Sequence, residues 1–269
     1  MPIAHARIAA FRALHAEGCF TIPNPYDAGS ARLLAALGFS ALATTSSGFA
    51  ASLGRADMSV SRDELVAHVC AIAAVTDLPL NADAERCYSE DLDGIAETIA
   101  MIADAGAAGV SIEDWNPATG AIDPIDVATS RVAAAVGSAA ESGIVLTARC
   151  ENHIRGITDL DDTITRLCAY RDAGAEVVYA PGLVDVTHIR RVVAEVGRPV
   201  NVLLLGGGPT VGDLADAGVR RVSVGGSLAW VAYGAFAAAA TALRDTGVIP
   251  KGSPSLDRTL AAAAFSPRA

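Results

Sequence analysis

Short apolar runs of strand length recur along the chain, and segments with a helical pattern separate them. The eight runs predicted to be strands are 19–23, 40–44, 78–82, 108–112, 144–148, 176–180, 199–204 and 220–224. A similar segment precedes several of them, as in Asp104-Ala105-Gly106-Ala107 before 108–112. Glycine at a helix end takes the left-handed conformation that returns the chain to a strand. Eight such βα units predict an α/β fold, a (β/α)8 barrel of the TIM type.

The pattern places one barrel domain at 1–247 and a C-terminal extension at 248–269. Prolines and glycines at 248–254 break the helical pattern, and 256–265 could form a short helix with an apolar face. Because little of the domain is left for that face to cover, a subunit contact is a plausible use for it. The alternative fold, an open doubly wound sheet, needs a glycine fingerprint after the first strand, and none is evident.

Composition narrows the class of protein. A chain of 269 residues with 52% hydrophobic and 19% charged residues fits one large ordered domain. The net charge of −10 argues against a nucleic-acid partner, which needs clustered Lys and Arg. The uncharged stretch 222–243 contains Gly225-Gly226-Ser227, so a strand, a turn and a helix fit it better than a membrane span.

Two residue types limit the chemistry further. The five cysteines are scattered without CxxC or Cys-His spacing, which argues against a disulfide framework or a zinc site and favours a soluble cytoplasmic protein. Lys251 is the only lysine, and it lies beyond the predicted barrel. Schiff-base chemistry through a lysine is therefore not expected.

Acidic residues follow the third and fourth predicted strands. Asp83 and Glu85 lie two residues apart and would share a face if the strand stays regular, and Glu113-Asp114 ends the next strand. Like charges held close are costly unless a cation neutralises them, and carboxylate oxygens suit Mg²⁺. The structural alternative is a solvated loop with Arg86 as the counter-ion.

Arg149 follows the fifth predicted strand, two residues before Glu151. An arginine at the end of a buried strand needs an anionic partner. It could pair with Glu113 or Glu151, or it could grip a substrate carboxylate through two parallel hydrogen bonds. We favour the substrate role.

Small polar residues and glycines follow other strands. The segment 44–48, Thr-Thr-Ser-Ser-Gly, would let backbone N–H groups approach an anion, or it is an ordinary turn. Asp57 lies in the same long loop and could reach the site. The clusters Gly206-Gly207-Gly208 and Gly225-Gly226 follow the last two strands, where barrels often bind phosphate, although tight turns explain them as well.

As an ordered set, these segments resemble the isocitrate lyase and phosphoenolpyruvate mutase superfamily over roughly residues 24–247. The matching blocks are 24–32 (Asn-Pro-Tyr-Asp-Ala-Gly-Ser-Ala-Arg), Ser46-Ser47-Gly48, Gly54-x-x-Asp57, Ala82-Asp83-x-Glu85, Ile112-Glu113-Asp114, Ala148-Arg149-x-Glu151 and Pro181-Gly182-Leu183.

The resemblance implies a barrel whose last helix is exchanged between subunits in a homotetramer or homodimer. It implies Mg²⁺, with Mn²⁺ as a possible substitute, held by Asp83, while Asp57, Glu85 and Glu113 reach the ion mostly through water. Ser47 and Gly48 would bind the carboxylate of a small substrate through backbone N–H groups, with Arg149 opposite. Arg149 and Glu113 would be the catalytic residues.

The chain also departs from the family. Isocitrate and methylisocitrate lyases carry a Lys-Lys-Cys-Gly-His loop after the fourth strand, whereas this chain has 115–120, Trp-Asn-Pro-Ala-Thr-Gly. The mutase loop lysine is missing too, Asn81 replaces the first Asp of the mutase Asp-x-Asp, and Trp230 stands where an arginine is frequent. The residue that protonates the enolate is therefore open, with Cys87, Tyr88 and His153 as candidates besides water.

These observations predict a Mg²⁺-dependent lyase or decarboxylase that cleaves a C–C bond in a small 2-oxo- or 2-hydroxy-dicarboxylate through a metal-stabilised enolate. The alternative is C–P chemistry on a phosphoenolpyruvate or phosphonopyruvate analogue, of mutase or hydrolase type. A third hypothesis is a barrel that binds a 2-oxo acid without turnover. No membrane or nucleic-acid partner is expected.

Overall fold

The computed structural model describes residues 2–252 and 254–267. Its strands are β1 Phe20–Ile22, β2 Leu42–Ala43, β3 Leu80–Asp83, β4 Gly109–Glu113, β5 Trp115–Asn116, β6 Ala121–Ile122, β7 Val145–Arg149, β8 Val177–Tyr179, β9 Val200–Leu203 and β10 Arg221–Ser223. Its helices are α1 Pro2–Leu14, α2 Ala28–Ala36, α3 Ser46–Ser52, α4 Arg62–Val75, α5 Leu92–Asp104, α6 Ile125–Ser142, α7 Leu160–Asp172, α8 Val186–Val196, α9 Val211–Asp216, α10 Ser227–Thr246 and α11 Arg258–Phe265, with a 3-10 turn at His153–Arg155.

Eight parallel strands form one sheet in the order β1-β10-β9-β8-β7-β4-β3-β2. The two ends of this sheet meet, because the Ala43 N–H donates to the Pro23 carbonyl at 3.1 Å. Helices alternate with the strands along the chain. The predicted (β/α)8 barrel is confirmed, and each of the eight predicted strands overlaps one of these.

Local sequence explains where many of the helices begin and end. Ser61 and Glu64 form a capping box at the start of α4, and the side chains of Asp27, Asp91 and Asp185 cap α2, α5 and α8. Gly106, in the repeated segment before β4, has a φ of +102°, which a residue with a side chain adopts only under strain. The repeated segment thus marks real helix-to-strand returns.

Helix α1 packs against the end of the barrel opposite the mouth. Phe11 is fully buried, and its ring meets the rings of His15 and Phe20 edge to face. Burial and the nearby positive charge of Arg221 lower the pKa of His15 to about 3, so this imidazole is neutral. Helix α1 therefore covers part of the barrel end opposite the carboxyl ends of its strands.

Three features lie outside the predicted pattern of eight strands and their helices. β5 and β6 pair as a small antiparallel hairpin after β4, a feature that the sequence analysis missed. Only Ala229 is buried along the 20 residues of α10. Helix α11 packs against α2 of the same chain and buries Ala264. Within residues 2–252 and 254–267, no helix is both long and apolar enough to cross a bilayer.

Candidate active site at the barrel mouth

A cavity of about 230 Å³ opens at the carboxyl ends of the strands. At roughly 30 Å³ per water molecule, it has room for a small organic acid. Five of the predicted site residues line it, namely Ser47, Asp57, Asp83, Glu113 and Arg149. Glu85 and Gly48 do not line it. The tertiary structure thus brings most of the predicted strand-end residues to one place.

Arg149 lies at the centre of this cavity wall and contacts three carboxylates. Its Nη1 is 2.8 Å from Asp83 Oδ1, and its Nη2 is 3.1 Å from Glu113 Oε2 and 2.7 Å from Glu151 Oε1. These charges raise the pKa of Arg149 despite its burial. Arg149 thus makes the ion pairs with Glu113 and Glu151 that the sequence analysis gave as one alternative. The binding of a substrate carboxylate by Arg149 stays a prediction.

Asp83 and Glu85 do not share a strand face, so that expectation was wrong. Strand β3 ends at Asp83, and Glu85 turns the chain with a φ of +49°. The Glu85 side chain is buried and its Oε1 has no hydrogen-bond partner. Burial, together with the charges of Asp83 and Asp57, raises the pKa of Glu85 to about 8.

The structural alternative for these acids also needs correction. Arg86 is not their counter-ion, because its guanidinium pairs with Asp123 at 2.8 Å and with Glu90 at 2.8 Å. Asp83 pairs instead with Arg149 at 2.8 Å, and among the described residues no ion pair includes Glu85.

Glu113 and Asp114 follow one another but face different surroundings. Glu113 lies in register with Arg149 and lines the cavity, and burial holds its pKa well above the usual range. Asp114 accepts the Tyr170 hydroxyl at 2.6 Å and the Glu151 N–H at 2.8 Å. Glu113 therefore faces the cavity, whereas Asp114 supports the structure around it.

Three buried oxygen atoms near the cavity accept no hydrogen bond from the described residues, and such oxygens suit a hard cation. Glu85 Oε1, Glu113 Oε1 and Asn81 Oδ1 are buried and have no hydrogen-bond partner in the part of the chain that the structure describes. Across residues 2–252 and 254–267, no three His, Cys, Asp or Glu side chains are placed to hold a metal ion by themselves. Mg²⁺ usually keeps several waters and takes one or two carboxylates, so the donor set fits that ion.

The segment 44–48 forms the start of α3. Thr45 caps the helix by accepting the Gly48 N–H at 3.4 Å, and the Ser46 N–H is 3.5 Å from Asp83 Oδ2. A Cβ atom on Gly48 would lie 2.6 Å from Thr45 Cγ2, so close packing requires this glycine. Because its N–H is already used in the cap, the predicted part of Gly48 in carboxylate binding has no support here.

The two glycine clusters have different positions. Gly225 and Gly226 line the cavity, and a Cβ atom on Gly226 would lie 2.5 Å from Ser47 Oγ. Gly206–Gly208 do not line it. Only the second cluster adjoins the predicted site.

Four cavity residues were missed by sequence reasoning: Tyr179, Asn201, Arg221 and Ser223. Arg221 Nε donates to Asn201 Oδ1 at 2.9 Å, Nη2 donates to Thr147 Oγ1 at 3.1 Å, and Nη1 approaches His15 Nε2 at 3.4 Å. A signal existed, since polar residues alternate with apolar ones in β9 and β10.

None of the three proton-donor candidates lines the cavity. Cys87 is fully buried, which raises the pKa of its thiol to about 12, and Tyr88 and His153 also lie outside the lining. Lys251 is exposed beyond α10. At the rim, the Arg155 guanidinium stacks on Trp115 of the unpredicted hairpin at 4.0 Å.

Comparison with known proteins places this geometry in context. The profile of the phosphoenolpyruvate phosphomutase family matches residues 11–244. An uncharacterised protein of Mycobacterium tuberculosis is 34% identical over 248 residues, 91% of this chain and 92% of that protein. An oxaloacetate decarboxylase of Chromohalobacter salexigens is 31% identical over 82% of this chain and 79% of its own length. A crystal structure of a candidate lyase/mutase from Burkholderia cenocepacia superimposes with a TM-score of 0.94 at 46% identity, covering 99% of this chain and 98% of that one.

Proposed function

The chain belongs to the phosphoenolpyruvate mutase and isocitrate lyase superfamily, and on this premise we propose that it is a Mg²⁺-dependent enzyme that breaks a carbon–carbon bond. The proposed substrate is a small 2-oxo- or 2-hydroxy-dicarboxylate, cleaved by a lyase or decarboxylase reaction. Relatives in the superfamily include carbon–carbon lyases, such as 2-methylisocitrate lyase and oxaloacetate decarboxylase. The size of the cavity agrees with a small acid.

One observation carries the proposal. Arg149 draws Asp83, Glu113 and Glu151 around one guanidinium at the mouth, while Glu85 and Glu113 keep unpartnered carboxylate oxygens. Arg155 adds a second cation 3.7 Å from Glu151 Oε2, but two arginines still leave buried acid unbalanced, and buried like charges repel and are poorly solvated. A divalent cation would balance the charge, and the site could then accept an anionic substrate.

Asp83 would hold Mg²⁺, with Asp57, Glu85 and Glu113 reaching it mostly through water. When bound, the ion would act as a Lewis acid that stabilises negative charge developing beside the substrate carboxylate. Arg149 would shift from pairing with acids alone to holding the substrate carboxylate as well. Ser47, at the start of α3, would bind the same carboxylate.

We also propose that the protein is a cytoplasmic homotetramer or homodimer in which α10 is exchanged between subunits. Helix α10 leaves large apolar side chains exposed, including Trp230 at 56% and Phe236 at 73%. A partner's barrel would cover them. Helix α11 packs against α2 of its own chain, contrary to the expectation that little was left for it to cover, so only its exposed remainder, including Phe265, would add a further subunit contact. All five cysteines are unpaired, which fits the reducing cytoplasm.

Oxalate, which resembles the enolate of a 2-oxo acid, provides the test. We expect oxalate to raise the melting temperature of the wild type only when Mg²⁺ is present. Asp83→Ala should abolish this shift while the protein stays folded, and Asp216→Ala, an exposed acid on α9, should keep it. An unchanged oxalate shift in Asp83→Ala would refute the metal assignment.

The reaction class needs a second measurement. We expect a panel of 2-oxo- and 2-hydroxy-dicarboxylates with Mg²⁺ to yield pyruvate or another 2-oxo acid. If phosphonopyruvate stabilises the protein much more strongly than oxalate, C–P chemistry becomes the better assignment. Oxalate binding without turnover of any acid in the panel would favour the binding-only hypothesis.

A further inference from the structure

The least explained charge in the barrel is that of Arg221. Its residue is 3% exposed, yet none of the ion pairs among residues 2–252 and 254–267 includes it. Its contacts are the neutral side chains of Asn201, Thr147 and His15. Burial lowers the pKa of Arg221 to about 10, which still leaves it charged at neutral pH. Burying a cation without an acidic partner destabilises the folded protein. We therefore expect a function that explains the position of Arg221.

Arg221 fixes the direction of a hydrogen-bond chain. A guanidinium only donates, so the Asn201 atom that faces Arg221 Nε at 2.9 Å must be the amide oxygen. The Asn201 amide nitrogen must then face Ser223, to whose Oγ it donates at 2.9 Å. The Ser223 hydroxyl, having accepted there, keeps its own hydrogen for another acceptor.

The next member of the chain is Tyr179. The Ser223 hydroxyl lies near enough to lower the pKa of the Tyr179 phenol, as expected if it donates to the phenol oxygen. The hydrogen of Tyr179 is then free, and this residue lines the cavity. The residues involved are in register across three neighbouring strands, with Tyr179 opposite Asn201 and Asn201 opposite Arg221. The chain therefore runs one way, from Arg221 at the floor to an O–H at the cavity wall.

We propose that Tyr179 is the proton donor to the substrate carbon, and that Arg221, Asn201 and Ser223 position its hydroxyl for this step. The proposal rests on the proposed function, which leaves an enolate of a 2-oxo acid when the C–C bond breaks. The electron pair of that enolate forms the new C–H bond with the Tyr179 hydrogen. The O–H pair stays on oxygen as a phenolate, which solvent water reprotonates after product leaves.

The surroundings of Tyr179 suit both halves of that cycle. Burial raises the pKa of its phenol to about 12, so the hydrogen is present at neutral pH. After transfer, the phenolate would face two cations, because the Arg149 guanidinium lies 5.2 Å from the ring centroid and Arg221 interacts favourably with the phenolate. The Ser223 hydroxyl adds a donor. A charge created at this point is thus compensated by groups already in place.

The assignment of Tyr179 supplies the proton donor that the sequence analysis left open. The loop cysteine and lysine are absent from 115–120, and Cys87, Tyr88 and His153 do not line the cavity. The other ionisable residues in the lining are carboxylates near Arg149 and the arginines themselves. Among the described residues, Tyr179 is the phenol that faces this space.

Exchange of the methyl hydrogens of pyruvate with D₂O tests the step without knowledge of the natural substrate. Such exchange is enolate formation and reprotonation, and NMR follows it directly. We expect Mg²⁺-dependent exchange by the wild type and a loss of at least about 100-fold in Tyr179→Phe, the range typical of general acid catalysis. Because Phe keeps the ring under Arg149, the oxalate-induced rise in melting temperature should remain.

Matched variants separate donation from structure. Tyr170→Phe removes another buried phenol, which donates to Asp114 outside the cavity lining, and should exchange like the wild type. Ser223→Ala should slow exchange by about 10-fold, and Ser223→Thr, which keeps the hydroxyl, should restore it. Failure of Thr to restore exchange would remove Ser223 from the positioning chain.

The outcomes distinguish this proposal from the one before it. If the wild type exchanges and Tyr179→Phe does so equally, Tyr179 is not the donor. A wild type that binds oxalate with Mg²⁺ but shows no exchange also overturns the assignment. A wild type that neither binds oxalate nor exchanges refutes the proposed function, and the role of Tyr179 with it.

Discussion

Two buried arginines in the same barrel have opposite surroundings. Arg149, at the mouth, contacts the carboxylates of Asp83, Glu113 and Glu151. Arg221, at the floor, contacts an amide, a hydroxyl and a neutral imidazole. They are linked in register through Tyr179 and Asn201. The mouth has more acid than Arg149 and Arg155 can balance, while among the described residues no acid pairs with the arginine at the floor.

This difference indicates two uses for one residue type. At the mouth, the guanidinium holds several anions together, and its removal would leave like charges buried near one another. At the floor, it acts as a donor of fixed direction that orients neutral groups. The predictions below test this contrast through the free energy of unfolding, measured by urea denaturation.

The largest effect is expected for Arg149→Met. Leaving its carboxylates without a cation should lower the free energy of unfolding at pH 8 by about 3–5 kcal/mol. Mg²⁺ should restore part of the loss. Arg149→Lys keeps the positive charge but loses the two parallel N–H donors of the guanidinium. We therefore expect Arg149→Lys to be more stable than Arg149→Met but to bind oxalate weakly. Arg191→Met, which breaks exposed pairs with Asp161 and Glu195, should cost about 1 kcal/mol or less. Equal losses at both arginines would contradict the contrast.

The acid excess at the mouth should also appear as a pH dependence. The folded-state pKa of Glu85 is raised to about 8, whereas an unfolded glutamate titrates near roughly 4.3. The stability linked to this group is therefore fully present below about pH 4.3 and lost as the pH rises to about 8, by up to about 1.4 kcal/mol per unit. Glu85→Gln should flatten this slope in metal-free protein, and Glu141→Gln, at an exposed position on α6, should not. An unaltered slope in Glu85→Gln would assign the pH dependence to other groups.

A smaller effect is expected at the floor. Arg221→Met removes hydrogen bonds to Asn201 and Thr147, but it also removes a desolvated charge. The net loss in the free energy of unfolding should be about 1–2 kcal/mol, and it should be the same at pH 6 and pH 8. If Arg221→Met lowers the free energy of unfolding as much as Arg149→Met, then Arg221 contributes as much to stability as Arg149, and the contrast between the two arginines is wrong.

The smallest effect concerns a third cavity arginine, which is partly exposed. Arg155 stacks on Trp115 at 4.0 Å, with 32% of its side chain accessible. A double-mutant cycle of Trp115→Leu and Arg155→Met should give a coupling of about 0.5–1 kcal/mol. A coupling near zero would mean that the hairpin does not hold Arg155 at the rim.

Local signals in the sequence were enough for the barrel. Strand runs, capping residues such as Ser61 and returns such as Gly106 depend on neighbours a few residues away, and the strands and the Gly106 return lie where they were predicted. The hairpin Trp115–Ile122 was missed because two-residue strands leave almost no pattern. The exchange of α10 between subunits is still a prediction.

The site was only partly accessible from the sequence. Asp83, Glu113 and Arg149 were found because residues that end parallel strands meet at one edge. The geometry of Glu85 was wrong, since a left-handed turn at that residue ends the alternation of faces. The part of Gly48 in carboxylate binding stays a prediction, and in this structure its N–H caps α3.

By itself, the sequence determined the eight strands, their helices and the charged residues at the strand ends. These features depend on the hydrophobic periodicity, the helix caps and the turn residues within short segments. Only the tertiary structure decided which charges meet. The pairing of Arg149 with Asp83 and Glu113 joins residues that are tens of positions apart, and so do the hydrogen bonds of Asn201 with Arg221 and Ser223. Strand register and barrel closure bring them together, and neither is written in any local stretch of the chain.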